Sequence, residues 1–382
     1  MRVAFVLAVC VWSVATRASA LDQEETFFAC PPQIEARGAV LIDRASGRVL
    51  YAQNADEQLP MASTTKVMTA LLALENASLD ETVTAGKNAS GVPGTSIYLS
   101  EGEQLTMEQM LYGLLLRSGN DAAVAIAEHI GGSVENFARM MNERAQSLNA
   151  GAHFVNPNGL DAQGHAASAL GMARIAAEAL ENADFRRIVS TPKTTIPWPG
   201  NAYQRVLENK NRLLREYEGA TGVKTGFTNK AGRCLIFSAE RDGMELVGVL
   251  LNCGTWFDSA KRLLDWGFEN YHAQTMFEQG QTAAQLSVSG GLEKRIDAVY
   301  EKRMSIALAG GETALISLEV DQPLRAPIRE GDIVGRALLT VDGQTQAWCY
   351  LRSGATVGQA NFVSALAKAA SNWPSGFRYL FE

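Results

Sequence analysis

The sequence predicts an α+β fold, an antiparallel sheet with helices gathered against it, followed by a small all-β domain. A hairpin signal near the N-terminus precedes a run of amphipathic helices, and strand patterns return after Gly200. From about Glu278 onward the sequence becomes short apolar strands separated by Gly and Pro. With 382 residues, 47% hydrophobic and 20% charged, the chain has enough apolar side chains to offset its ordering entropy, and its length suits about two domains.

The elements follow in order. Residues 39–43 and 48–52 flank Ala45-Ser46-Gly47, a strand pair with glycine at the turn. Residues 60–77 read as a helix, with Pro60 near its start and Val67, Met68, Leu71, Leu72 and Leu74 as a broad apolar face. Thr106-Met107-Glu108-Gln109 is a capping box that opens an apolar helix through Leu116. Asp121 is expected to cap the next helix, 122–130, which Gly131-Gly132 ends, and another helix spans 134–148. Residues 232–240 and 244–252 form a hairpin around Arg241-Asp242-Gly243, and 259–268 read as helix. Strand patterns at 286–288, 313–320 and 337–341 belong to the second domain. The boundaries drawn are 33–277 for the first domain and 278–357 for the β-rich one.

Ahead of both, Met1-Arg2, the apolar stretch 3–14 and Ala18-Ser19-Ala20 are the three parts of a secretory signal, with cleavage expected after Ala20. Cys10 follows Val9 inside the apolar stretch, which does not suit a lipoprotein. Cleavage removes Arg2 and Arg17 but no acid, so the formal net charge of −7 becomes −9. It leaves Cys30, Cys234, Cys253 and Cys349, read as four buried thiols; three complete pairings are open to them, and their spacing suits no zinc site.

An acidic chain has no general attraction for phosphate backbones, which argues against nucleic acid as a partner. No stretch after the N-terminus approaches the ~18 apolar residues that span a bilayer, which excludes a multi-pass membrane protein. The four histidines, His129, His153, His165 and His272, form no metal-binding spacing and read as structural or surface residues. No Gly-rich phosphate loop follows a strand, and no metal or cofactor is expected.

Three short motifs carry the chemistry. Ser63-Thr64-Thr65-Lys66 opens an apolar helix, and the spacing of three puts the Lys66 amine within reach of the Ser63 hydroxyl. Serine needs a base to become a nucleophile, and lysine serves only when burial or a second cation lowers its pKa from ~10.4. Ser118-Gly119-Asn120 lies between two helices and offers a proton-relaying hydroxyl and a peptide-gripping amide. Lys224-Thr225-Gly226 stands just before the 232–240 strand: Lys224 supplies the second cation, Thr225 a hydroxyl for a carboxylate, and Gly226 close backbone access for an extended ligand. Singly, the three read equally well as a helix cap, a loop and a turn; together, each at a fitting junction, they point to a serine acyl-transfer site.

The set resembles penicillin-binding proteins and serine β-lactamases, and more closely the low-molecular-mass D-alanyl-D-alanine carboxypeptidases of the S11 peptidase type. The likeness runs from about Ala39 to the C-terminus and includes residues 60–66, Asn156-Pro157-Asn158-Gly159-Leu160, residues 222–228 and Ala326-Pro327-Ile328. It implies a β-lactamase/transpeptidase-like catalytic domain. It also implies that Ser63 attacks the penultimate D-alanine of a peptidoglycan stem peptide while Lys66 takes its proton, that Ser118 relays a proton to the leaving amine, and that Asn120 holds the substrate. The backbone N–H groups of Ser63 and Phe227 would form the oxyanion hole, worth ~3–4 kcal/mol per donor. β-Lactam antibiotics would acylate Ser63.

Three departures stand out. Phe227 replaces a common His, Trp256 stands where some relatives carry a carboxylate-binding Arg, and Gly171 where the family often has Asp. The carboxylate is then left to Thr225, Lys224 or another cation such as Arg233. A β-lactamase is the nearest alternative, but no Glu-x-x-x-Asn stretch follows the Ser118 motif where class A enzymes have it. A non-catalytic penicillin-sensing or wall-binding protein is disfavoured by the retention of Ser63, Lys66, Ser118 and Lys224.

Residues 359–372 have helical apolar spacing through Phe362, Leu366, Ala369 and Trp373, with Phe377, Tyr379 and Phe381 beyond and Lys368 and Arg378 beside them. That pattern suits a helix in a membrane interface, as the family's amphipathic anchors do, and residues 358–382 are read as that segment; a helix docked on the β domain is the other reading. The protein is expected outside the cytoplasmic membrane, on its outer face.

Overall fold

The computed structural model describes residues 7–8, 30–320 and 323–360. Described residues 30–272 form one compact unit and those from 273 onward a second. Apart from Leu7–Ala8, which pair with Leu318 and Ser317, the predicted export signal lies outside the described residues, as does the predicted anchor beyond Ala360. Among the described residues, no helix is long and apolar enough to cross a membrane.

In the first unit, β1 (Ala36–Asp43) and β2 (Val49–Gln53) precede α1 (Lys66–Asn76). Next come α2 (Met107–Tyr112), α3 (Asn120–Gly131), α4 (Val134–Ser147) and α5 (Ala169–Ala179). A small hairpin, β3 (Lys193–Ile196) with β4 (Arg205–Glu208), leads to β5 (Ala220–Thr228), β6 (Gly232–Arg241), β7 (Met244–Cys253) and α6 (Trp256–Asn270). The antiparallel sheet runs β2-β1-β7-β6-β5. Side chains alternate between its faces. Val40, Ile42, Ile236, Val247 and Val249 join the core made with α1, α3 and α5. Leu41 and Leu246 face α6, where Gly267 lets the helix approach: a β-carbon there would stand 2.6 Å from Leu246 Cδ1. Central strand β7 is therefore buried on both faces, which is why it reads as an apolar run rather than an alternation.

The second unit follows the predicted all-β pattern. β8 (Tyr271–Phe277), β9 (Thr282–Ser289), β10 (Arg295–Tyr300), β11 (Met304–Ala309), β12 (Ala314–Val320), β13 (Ile333–Val341) and β14 (Gln344–Ser353) build it. Its main sheet holds the run β12-β13-β14-β10-β9, and β8 pairs with β11. Leu286, Ile296, Ile306, Leu339 and Leu351 lie in its core, and the Phe277 and Tyr300 rings stack at 3.7 Å.

The structure corrects several expectations. The 60–77 helix begins as a 3-10 turn, Ala62–Thr65, before α1. The helix expected through Leu116 is α-helical only to Tyr112; a wider π turn spans Gly113–Arg117 and ends at Ser118 in a left-handed conformation, φ +66°. Asp121 is not a cap. Gly119 holds that position, and the Asp121 carboxylate, inside the first turn, accepts from Ser96 Oγ (2.6 Å) and from the backbone N–H of Ile97 and Leu99. Helix α6 starts three residues before the predicted 259. Lys224-Thr225-Gly226 does stand just before the 232–240 strand, now β6, but it also lies within a strand of its own, β5, whose glycines and polar residues hide the strand pattern. Among the described residues, Cys30, Cys234, Cys253 and Cys349 are free thiols, but Cys30 is exposed, not buried.

Hairpin β3–β4 is tied to residues 98–103 by Arg205 and Glu103, whose side chains are 3% and 4% exposed. Glu103→Ala strands a buried guanidinium and is expected to cost about 3–5 kcal/mol in urea unfolding. Glu57→Ala, at the exposed Arg37 pair, should cost less than about 1 kcal/mol.

Candidate active site

The 3-10 turn presents Ser63 at the mouth of a cleft of 610 Å³, lined also by Thr95, Ser118, Thr225, Gly226 and Phe227. Edge strand β5 forms one wall, in register Thr225↔Leu235 and Gly226↔Cys234. It passes so close to the turn that a β-carbon on Gly226 would stand 2.9 Å from the Ser63 nitrogen and 3.0 Å from that of Thr64. Only glycine permits that approach, which brings the Ser63 N–H beside the strand.

Lys66, fully buried, lies one turn below Ser63. Its Nζ is 3.0 Å from Ser63 Oγ, 2.7 Å from Asn120 Oδ1, and also bonds the Asn158 carbonyl oxygen. All three partners are uncharged. Burial, with the charges of Lys224 and Lys210 added, holds the Lys66 amine well below the usual lysine range, against a smaller upward pull from Asp121. A neutral amine has two hydrogens and one lone pair. The two carbonyl oxygens can take the hydrogens, which leaves the lone pair facing the Ser63 hydroxyl.

Lys224 is 1% exposed, and its ammonium donates to the Thr225 carbonyl at 2.7 Å. Burial, then the Lys210 charge, lowers its pKa to about 7. Ser118 is buried in the left-handed turn and shares the cleft with Ser63. Asn120, also buried, donates from Nδ2 to the Pro93 carbonyl at 2.7 Å while its oxygen meets Lys66. It therefore orients the amine, and one amide hydrogen remains. Phe227 is 60% exposed at the cleft rim.

Residue reasoning missed three contributors. The first is the Asn158 carbonyl. Its loop is stitched by Gly159 N–H to Asn156 Oδ1 (2.7 Å) and by the Thr69 hydroxyl to the Pro157 carbonyl (2.6 Å). The Asn-Pro-Asn-Gly turn was the available signal, and Gly159 is required: a β-carbon would fall 1.9 Å from the Ala62 carbonyl oxygen. The second is His165, read as structural or surface. It is buried, accepts the Val155 N–H at Nδ1 (3.0 Å) and so donates from Nε2 to Thr65 Oγ1 (2.9 Å), between Ser63 and Lys66. Burial keeps it neutral, with a pKa lowered to about 4. The third is Lys210, a further cleft cation.

Arg212, Arg233, Trp256 and Phe257 also line the cleft, and no acidic residue joins the lining. The Arg233 guanidinium donates to the Gly254 carbonyl (2.8 Å) and lies 5.9 Å from the Trp256 ring. Arg212 lies 4.7 Å over Phe257, with Glu216 3.3 Å away. Gly171 has no room for a side chain, since a β-carbon would meet the Ala150 carbonyl oxygen at 1.9 Å. Glu178 and Asn182 do have Glu-x-x-x-Asn spacing, but Glu178 pairs with Arg144 and is no part of the cleft.

Residues 25–255 match the family model described as D-alanyl-D-alanine carboxypeptidase, and residues 271–363 match the C-terminal domain of penicillin-binding protein 5. The chain is 33% identical to the D-alanyl-D-alanine carboxypeptidase DacF of Bacillus subtilis, over 89% of this chain and 90% of that protein. It is 30% identical to DacA of Escherichia coli, over 90% and 89%. Penicillin-binding protein 5 from Haemophilus influenzae superposes with a TM-score of 0.71 at 30% identity, covering 87% of this chain and all of that one.

Proposed function

The chain belongs to the D-alanyl-D-alanine carboxypeptidase family, and from that membership we propose that Ser63 is the nucleophile with which it removes the terminal D-alanine of peptidoglycan stem pentapeptides. The observation that carries this reading is the 3.0 Å contact between Ser63 Oγ and the buried, pKa-lowered Lys66 amine.

Lys66 Nζ accepts the hydroxyl proton as Ser63 Oγ bonds to the penultimate D-alanine carbonyl carbon. The resulting oxyanion takes hydrogen bonds from the N–H groups of Ser63 and Phe227. The C–N bond then breaks, and the departing D-alanine amine receives the proton from Lys66 through Ser118. Water attacks the ester on Ser63 with Lys66 again as base, which frees the shortened peptide and restores the hydroxyl. A β-lactam carbonyl follows the same first step. Asn120 orients Lys66 and keeps one amide hydrogen for the substrate chain, and Gly226 lets the peptide lie against β5.

The terminal carboxylate goes to Thr225 and Arg233. A cleft lined by Lys210, Arg212 and Arg233 in a chain of net charge −7 favours an anionic ligand end. Lys224 is buried against its own strand, and Glu216 offsets Arg212. The partners of Arg233 are a carbonyl and an aromatic ring, both uncharged, so its full charge faces the cleft. Arg233 with Trp256 thus takes the place of the missing family arginine. We infer also that residues 1–20 direct export, because the substrate lies outside the cytoplasmic membrane, and that residues 358–382 rest on the membrane surface.

D-Alanine release from diacetyl-Lys-D-Ala-D-Ala tests the reading. Ser63→Ala should lower kcat by at least about 10³-fold, and Arg233→Ala should raise KM about 10- to 100-fold, the range for a hydrogen bond to a charged group. Equal release by the Ser63 variant would defeat the proposal.

The pH profile supplies a signed prediction. Lys66 must be unprotonated to act, so kcat/KM falls as pH drops through its pKa. The Lys210 charge helps hold that pKa down; Lys210→Met should raise it and move the acid limb to higher pH. An unmoved limb, or one moved lower, would remove Lys66 as the base.

A further inference from the structure

Outside the catalytic cleft, three aromatic rings share one face. Tyr98 is 69% exposed and Tyr203 64%. Each lies against Trp198: Tyr98 stacks on it with planes 15° from parallel and centroids 6.4 Å apart, and Tyr203 meets it edge-on at 5.5 Å. Trp198 itself is partly buried, and two exposed rings gathered against it mark a binding surface more often than a folding need.

The group is held in place. Tyr98 adopts φ +62°, a left-handed conformation that bulky residues seldom take. The segment carrying it is pinned by the Asp121 carboxylate through the N–H groups of Ile97 and Leu99. Arg205, buried under the cluster, donates to the carbonyls of Tyr98 (3.0 Å) and Pro197 (3.0 Å), is neutralised by Glu103, and sets its guanidinium 5.0 Å from the Trp198 ring.

Both segments that bear the rings continue into the cleft wall. Tyr98 lies three residues beyond Thr95, and Arg205 five residues before Lys210, both of which line the cleft. Three residues span at most about 11 Å. An extended stem pentapeptide spans about 17 Å and is joined at its other end to a sugar of the wall polymer.

We propose that Tyr98, Trp198 and Tyr203 form a platform for the glycan of peptidoglycan, seating a sugar ring while its stem peptide lies in the cleft. The proposal rests on the carboxypeptidase reading of that cleft. A pyranose presents a face of C–H groups, which packs on the negative face of an aromatic ring. The charge within the group, on Arg205, is turned inward and spent on Glu103, so neutral apolar faces are what the surface offers.

The test compares the disaccharide-pentapeptide with the same pentapeptide lacking sugar, on the intact protein and on Tyr98→Ala and Tyr203→Ala, with penicillin acylation of Ser63 followed in parallel. For each variant kcat/KM on the disaccharide substrate should fall about five- to tenfold, through KM. The sugar-free peptide and acylation should stay within about twofold. Equal loss on both substrates, or no loss on the disaccharide substrate, overturns the platform. Failure of acylation in the intact protein would instead defeat the catalytic reading. The platform is then judged by titrating the peptide-free disaccharide into the Ser63→Ala protein: a change in tryptophan fluorescence that Trp198→Phe abolishes supports it, and no binding overturns it.

Discussion

A lysine amine buried among uncharged oxygens is the constraint on which the rest depends. Lys66 sits with Ser63 Oγ, Asn120 Oδ1 and the Asn158 carbonyl around it. Burial without a carboxylate partner disfavours the charged form, and the neighbouring cations disfavour it further. The fold supplies this arrangement from separate elements. The 3-10 turn and α1 carry Ser63 and Lys66, α3 carries Asn120, and the stitched turn at 156–160 carries Asn158. Glycines at 159 and 226 permit the close approaches, and neutral His165 fastens the turn segment to Thr65.

The same cation that lowers Lys66 serves a second purpose at the cleft. Lys210, Arg212 and Arg233 line the cleft with no acidic residue beside them, so in the proposed reaction one arrangement would both activate the base and draw an anionic peptide end. Trp256, which stands where the resemblance leads one to expect an arginine in some relatives, lies beside Arg233 instead. The ring supports Arg233 by a cation–π contact, and the guanidinium reaches the cleft from β6 rather than from the start of α6.

How much of this was legible in the sequence depended on how local the signal was. Ser63 and Lys66 are three residues apart on one helix, and the α+β order followed from periodicity, so both could be read directly. The tripeptide Lys224-Thr225-Gly226 was recognised as a motif, yet its residues alone did not reveal a strand, because pairing with β6 imposes the extended backbone. Asp121 looked like a helix cap since a carboxylate near a helix start is ambiguous; only the fold brings Ile97 and Leu99 to it. The Asn158 carbonyl carries no side-chain signature, and Lys210 is one lysine among many until β4 delivers it to the cleft. Tyr98 is distant in sequence from Trp198 and Tyr203, and the two segments meet where Arg205 bonds Glu103 and the Tyr98 carbonyl.

The site depends on Lys66 being a neutral amine in the resting protein. Nitrogen NMR of lysine Nζ, assigned with Lys66→Arg, measures its titration directly. The Nζ titration midpoint is expected well below the usual ~10.4. A Lys66 signal that stays protonated until about pH 10 would contradict it.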